Sequence, residues 1–380
     1  MTIIAALARE PHSKFQFQQV SLAELRPDEI IVEIRGVGIC HTDIAARDGI
    51  YGLPYPIVLG HEGSGVVTAA GAEVTTVAPG DHVVLSFNSC GRCTSCLSDN
   101  PAYCSDFAVE NYIGTRPDGS RVLESEAGPV YSHFFGQSSF ATHAVVNPRN
   151  VVAVDPDLDL AQLGPLGCGL QTGAGAVMRS MRCRAGSSLV VLGVGPVGLA
   201  AVMAARIQGC SSIIVVEPHE TRRTMAIEMG ATHTIDPTVA GDLAERIRGI
   251  VREGVDYVFD TTGRVDVIHG AIAAVGCNAV LGLVGVPSDF SVDLPLNIVS
   301  TMQTGLTVKG IVEGDSDPSE FIPELIGHYR AGRFPFDKMI TTFPLSAIND
   351  AIAAQHRGEV VKAVLVPDEG LAEPRATARL

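Results

Sequence analysis

The chain has 380 residues, 46% of them apolar and 18% charged, and 27 Lys and Arg against 42 Asp and Glu give a formal charge of −15. A mean hydropathy of +0.25 and a pI near 5.1 exclude disorder as the overall state. They also leave no basic face for nucleic acid or an anionic membrane. A length of this order points to two domains.

In chain order, Met1–Phe15 has neither the basic start nor the long apolar core of a secretory signal, so a cytoplasmic protein is expected. Ile30–Val37 alternates β-branched and polar residues, and His82–Leu85 follows the turn signal Pro79-Gly80-Asp81; both read as strands. From Ser187 the rhythm changes. Apolar runs at Leu189–Leu192, Ile213–Val216, Tyr257–Phe259 and Ala279–Val284 alternate with helical stretches at Leu199–Gln208 and Thr221–Met229, each closed by a glycine, Gly209 and Gly230. This is the βαβ pattern of a parallel sheet. The uncharged run Leu189–Ala205 is 17 residues long but contains Gly193, Gly195, Pro196 and Gly198, so it reads as strand, turn and helix, not as a membrane span. A helix near Phe321–Arg330 and a strand near Lys362–Val366 follow, and the polar, alanine-rich tail from Asp368 is expected to fray. The pattern predicts a β-rich domain over 1–170 and 311–380, with a doubly wound α/β domain, 171–310, inserted into it.

Nine cysteines in a reducing compartment serve as ligands, catalytic groups or buried thiols. Cys90-x2-Cys93-x2-Cys96-x7-Cys104 is a spacing that wraps one tetrahedral Zn²⁺ in four thiolates, leaving no room for substrate. An iron–sulfur cluster is the rival occupant. Gly193-Val194-Gly195-Pro196-Val197-Gly198 sits between a strand and a helix, and Glu217 lies 19 positions after its last glycine. The three glycines allow a turn, an approaching pyrophosphate and close helix packing. The carboxylate accepts from ribose hydroxyls and repels a 2′-phosphate. NAD is therefore expected, with Arg222 and Arg223 leaving NADP tolerance open. Cys40, His61 and Cys168 are uninformative singly. Brought together, two sulfurs, one imidazole and an open position would make a catalytic zinc site, but the sequence alone does not show that the three converge.

The ordered set Gly38-Ile39-Cys40-His41-Thr42-Asp43, Gly60-His61-Glu62, Pro79-Gly80-Asp81, the four-cysteine lobe, Gly167-Cys168-Gly169 and the glycine fingerprint resembles the zinc-dependent medium-chain alcohol dehydrogenases over nearly the whole chain. Phe134–Phe140, Gly164–Gly169, Ile311–Pro318, Phe321–Leu325 and Phe334–Asp337 resemble the aryl (benzyl) alcohol branch. The resemblance implies a GroES-like catalytic domain around a Rossmann domain, with substrate in the cleft between them. It also implies two zincs per chain: a catalytic one on Cys40, His61 and Cys168, and a structural one on the lobe. Asp43 then orients His61, Glu62 lies behind the metal, Thr42 takes the alcohol proton, Val197 presses the nicotinamide and Lys362 pairs with the pyrophosphate. Polyol and threonine dehydrogenase relatives commonly place a glutamate where Cys168 stands, and quinone reductase relatives lack the zinc set.

One departure stands out. Many family members have a proton-passing histidine where this chain has Ala45. Two readings of His41 stay open: contact to the pyrophosphate, or a relay in that histidine's place. With 7 Tyr, 13 Phe and no Trp in the chain, Tyr51, Phe87 and Phe134 near the site point to a flat apolar primary alcohol, aryl or allylic, terpenoid alcohols such as geraniol included. The rivals are glutathione-dependent formaldehyde oxidation and a non-catalytic NAD-sensing relative. A homodimer or homotetramer is implied, and Ala279–Val286 is a stretch able to pair across such an interface, though an edge strand there is also compatible with a monomer. Cys183, Cys210 and Cys277 are expected to be buried thiols.

Overall fold

Alternation in Ile30–Gly38 builds the spine of the first unit, with Ile30, Val32, Ile34 and Val37 buried. In the computed structural model, which describes residues 1–287 and 289–368, this strand is central to a seven-stranded sheet. Reading across, the order is Ile340–Pro344, Lys362–Val366, Ile30–Gly38, Gly63–Ala70, His82–Leu85 and Val151–Val154, with His143–Val146 also paired to the spine. Val83, Leu85, Val146, Ala363 and Leu365 join its core, and each buried valine or leucine among them stabilises by roughly 1.5–3 kcal/mol. A four-stranded sheet built on Thr2–Ala8 and Gln16–Leu22 packs into the same core.

Two registers set up the site. Val37 is paired with Gly63 and Val364 with Gly38, both antiparallel. The chain ends leading to Cys40, Glu62 and Lys362 therefore emerge side by side, tied by Gly38 N–H to Glu62 O (3.0 Å) and Ile39 N–H to Ala363 O (3.0 Å).

The second unit is a parallel six-stranded sheet. Its strands are β1 (Ser188–Leu192), β2 (Ser212–Val216), β3 (His233–Ile235), β4 (Val255–Asp260), β5 (Val275–Leu283) and β6 (Thr307–Gly310), in the order β3-β2-β1-β4-β5-β6. Both faces are covered, so β1 and β2 are apolar almost throughout and do not alternate. Strand order reverses between β1 and β4, the switch point where doubly wound sheets bind ligands. Helix α1 (Pro196–Gln208) follows β1 and ends on Gly209 at φ 78°.

Several expectations need correction. The units divide as Met1–Cys168 with Met339–Leu380, and Gly169–Lys338, so the chain returns to the first unit at 339 and not at 311. The cause is the helix Pro318–Arg330, whose Phe321 takes the Arg179 guanidinium on its ring at 5.0 Å and whose Glu324 pairs with Arg179. The stretch Ala279–Val286 is no edge, because β5 has β4 on one side and β6 on the other; β6 is the edge. Cys183 and Cys210 are buried but Cys277 is exposed, and no cysteine among the described residues is in a disulfide. The expected fraying of the tail concerns, from residue 369 on, a stretch outside the described residues. No helix among the described residues is long and apolar enough to cross a membrane.

Candidate active site and metal centres

The ligand atoms of Cys40, His61, Glu62 and Cys168 all lie within 4.8 Å of one another. Cys40 precedes the helix His41–Arg47, His61 and Glu62 precede the strand Gly63–Ala70, and Cys168 closes the 3-10 turn Gly164–Gly167. His61 is wholly buried. Its Nδ1 is 2.7 Å from Asp43 Oδ1, and its Nε2 is buried without a hydrogen-bond partner. A buried ring nitrogen left unpaired costs about 1–3 kcal/mol. Two adjacent thiols and a free imidazole lone pair form a donor set suited to Zn²⁺, so the residues fit the metal. The Cys40 thiol is held well below its ordinary range by the Cys168 thiol and, against the effect of burial, by His61.

Asp43 organises this end of the site. Its Oδ2 accepts the Cys40 N–H (3.0 Å), and its Oδ1 accepts the Gly60 N–H (3.1 Å) beside His61. Glu62 is buried against the Lys362 ammonium, which also donates to Ile39 O (3.0 Å). Burial pushes the Glu62 carboxyl up to about 7, with Lys362 opposing.

Aromatic rings surround the imidazole. Phe135 stacks on His61 at 4.3 Å and 20°, and Phe134 meets it edge-on at 5.6 Å. Tyr112 meets Phe135 edge-on at 5.2 Å and stacks on Tyr51 at 5.1 Å and 8°, and Phe107 bridges Phe135 and Phe87. The segment carrying the two phenylalanines is strained: His133, Phe135 and Ser138 have φ of 69°, 53° and 57°. Non-glycine residues adopt such angles at a cost of about 1–3 kcal/mol each. Gln137 pins this segment, donating to His61 O (2.9 Å) and Ser86 O (3.0 Å). Phe87 and Phe134, expected as pocket walls, are 2% and 0% exposed and back the cluster, while Tyr51, Phe107 and Tyr112 are half-buried.

In the lobe, the sulfurs of Cys90, Cys93, Cys96 and Cys104 lie within 4.8 Å of one another, compatible with the roughly 3.8 Å edges of a tetrahedron of 2.3 Å Zn–S bonds. Backbone N–H groups of Cys96 and Ser105 pull the Cys93 thiol down, whereas burial pushes the Cys104 thiol up to about 12.

In the second unit, Gly193 adopts φ 80°, and a Cβ on Gly198 would lie 2.1 Å from Gly193 O. A Cβ on Gly195 would meet nothing within 4 Å, so the protein's own packing does not require glycine there; an approaching phosphate does. Glu217, at the end of β2 and 2% exposed, accepts N–H groups from Val194 and His219, both at 3.0 Å. Arg223 is committed to Glu217 O, Pro218 O and Asp236, whereas the Arg222 Nε is buried without a hydrogen-bond partner.

Comparison with known proteins now decides the family. Residues 26–156 match the alcohol dehydrogenase GroES-like domain and 196–327 the zinc-binding dehydrogenase domain. The geraniol dehydrogenase of Castellaniella defragrans is 45% identical over 363 residues, 95% of this chain and 97% of the relative. The chain belongs to the zinc-binding alcohol dehydrogenases. Among solved structures, an alcohol dehydrogenase zinc-binding domain protein from Burkholderia ambifaria superposes with a TM-score of 0.94 at 43% identity, over 97% of this chain and 99% of that one. The benzyl alcohol dehydrogenase of Acinetobacter calcoaceticus gives 0.93 at 38%, over 97% and 100%.

In this alcohol dehydrogenase Lys362 is 1% exposed, and its ammonium pairs with Glu62 and donates to Ile39 O. Phe107 and Tyr112 were not singled out from the sequence, and Phe135 and Gln137 entered only as part of the run Phe134–Phe140. The Phe134-Phe135 pair beside a Gly136 was the available signal, but alternation alone does not say which aromatic meets the imidazole.

Proposed function

We propose that this dehydrogenase oxidises primary alcohols bearing a flat apolar group, aryl or allylic, to the aldehyde with NAD⁺, reversibly. The observation that carries the reading is the ring cluster Tyr51, Phe107, Tyr112, Phe134 and Phe135 joined to His61. Such rings reward a planar apolar substrate over a small one. Zinc, when bound, supplies Lewis acidity that lowers an alcohol's pKa, and the nicotinamide supplies the hydride acceptor. Cys40, Cys168 and His61 Nε2 hold the catalytic metal, and the four lobe cysteines hold a structural one. Asp43 fixes the His61 ring so that Nε2 faces the sulfurs. The Thr42 hydroxyl takes the proton leaving the alcohol. Gly193, Gly195 and Gly198 admit the pyrophosphate, with exposed His41 as its basic contact. Val197 bears on the nicotinamide, and Glu217 and Arg222 hold the adenosine ribose. The buried Glu217 carboxylate favours NAD over NADP, whose 2′-phosphate it would repel.

The allylic arm draws on the geraniol dehydrogenase relative and the aryl arm on the benzyl alcohol dehydrogenase. We further propose a cytoplasmic homodimer or homotetramer. Helix Ile298–Thr304 exposes Ile298 (84%) and Met302 (71%), and the edge strand β6 exposes Val308, an apolar surface suited to a second copy.

Initial rates of NAD⁺ reduction with benzyl alcohol, geraniol and ethanol at matched concentrations test the substrate reading. The expected kcat/KM for the two larger alcohols exceeds that for ethanol by about 100-fold or more. Equal rates for all three, or none from protein carrying both zincs, overturn it.

A further inference from the structure

The segment that carries Phe134 and Phe135 ends beside the chain that carries His61. Ser139 N–H donates to Gly60 O (2.8 Å) and Phe140 N–H to Leu59 O (2.9 Å). The left-handed angles at His133, Phe135 and Ser138 are conformations that persist only where their surroundings fix them. Gln137, 2% exposed, ties the two segments together. Its amide uses both N–H groups and both lone pairs. Nε2 donates to His61 O (2.9 Å) and Ser86 O (3.0 Å), and Oε1 accepts from Gly63 N–H (3.1 Å) and from the Ser139 hydroxyl (2.7 Å). The side chain thus grips the backbone on both sides of Glu62. Glycine at 63 leaves it room, since a Cβ there would lie 3.0 Å from Gln137 Oε1. Its neighbours have second anchors: Ser86 O also accepts from Asn150 Nδ2 (3.0 Å), and the His61 ring is held by Asp43.

We propose that Gln137 is a positioning residue that sets the substrate preference of this dehydrogenase. By tying the backbone of His61 to the segment of Phe135, it fixes the ring that stacks on the imidazole at 4.3 Å and 20°. The inference rests on the proposed reading that these rings receive a flat apolar alcohol. A planar group gains from aromatic neighbours where they are held at a set distance and angle, whereas a small alcohol draws little from them. Phe135 also meets Phe134 at 4.9 Å and 77° and Tyr112 at 5.2 Å and 89°, so a shift of its ring passes to both. Loosening the segment therefore weakens binding of aryl and allylic alcohols. It leaves the metal ligands in place, because Asp43 holds the His61 ring independently.

In the zinc-loaded Gln137→Ala enzyme, the ratio of kcat/KM for benzyl alcohol to that for ethanol is expected to fall about tenfold, the size of a lost apolar contact. The loss appears as a higher KM for benzyl alcohol, with kcat for ethanol within about twofold of wild type and zinc per chain unchanged. A ratio does not depend on the fraction of active enzyme, so partial misfolding does not mimic the result. Gln137→Asn, whose amide is one methylene too short to reach both sides, shows a smaller fall in the same direction and serves where the alanine variant does not fold. Because Gln137 acts through Phe135, Phe135→Leu and its combination with either Gln137 variant have equal ratios. An unchanged ratio in the Gln137 variants, equal losses for both alcohols, or falls that multiply in the double variant overturn the inference. A wild type that prefers benzyl alcohol alongside Gln137 variants that keep the preference rejects the positioning role alone. A wild type with equal kcat/KM for the two alcohols rejects both readings.

Discussion

Asp43 Oδ1 lies 2.7 Å from His61 Nδ1 with both side chains wholly buried, and the other Asp43 oxygen holds the Cys40 N–H at 3.0 Å. One carboxylate thus fixes two of the three expected ligands of the catalytic metal. Removing its charge while keeping its shape, Asp43→Asn, offers the ring an amide in one of two orientations. Outer groups of this kind are worth about 10–100-fold in metal affinity. Zinc per chain after dialysis against a mild chelator is expected to fall from about two to about one, with kcat down in parallel and the lobe metal retained.

Lys362 and Glu62 form a fully buried ion pair. Deleting one partner of such a pair costs about 3–5 kcal/mol, because the other charge is left without compensation. Lys362→Met is expected to lower the urea midpoint accordingly, and Lys362→Met/Glu62→Gln to recover much of the loss. Non-additivity between the two single changes in a double-mutant cycle is the quantity to measure.

The four-cysteine lobe has little apolar core of its own. Helix Thr94–Leu97 buries no residue, and Leu97 is 71% exposed. Its order therefore depends on the metal, whose binding doubles as folding energy in such small modules. Cys104→Ser is expected to drop one zinc per chain and to open residues 90–111 to limited proteolysis. The geraniol and benzyl alcohol preference is retained on whatever activity remains. Zinc analysis alongside trypsin digestion followed by mass spectrometry checks this.

How much of this was legible beforehand follows from where the information lies. The strands His82–Leu85 and Lys362–Val366 appear with the bounds read from the sequence, because turn residues and apolar runs mark them locally. The Cys40 and His61 groups were identifiable as motifs, but their meeting depends on the Val37–Gly63 register, which resemblance and not spacing supplied. The pairing of Lys362 with Glu62 was not legible because it is set by the pairing of Val364 with Gly38, across more than 300 positions of sequence. The return at 339 was misplaced because the helix Pro318–Arg330 is held by Arg179, a contact with no local signature. Of the ring cluster, Tyr51 and Phe134 were named from the sequence, whereas the stacking of Phe135 on His61 was not legible, since its left-handed backbone is visible only in the fold.

His133 is 6% exposed and its Nδ1 has no hydrogen-bond partner, and burial pulls its pKa down to about 4 despite the attraction of Glu29. The unfolded value is near 6.5. A folded pKa below the unfolded one means that the unfolded chain binds the extra proton first. Stability is therefore complete above about pH 6.5 and is lost as pH falls towards 4. Between pH 7 and pH 5 the loss from this one group is about 2 kcal/mol. Asparagine tolerates the left-handed backbone at this position, φ 69°, and does not titrate. His133→Asn is thus expected to flatten this part of the stability profile relative to wild type, read as the change in urea midpoint from pH 7 to pH 5 in each protein. Equal slopes in the two proteins would show that the imidazole is protonated in the fold.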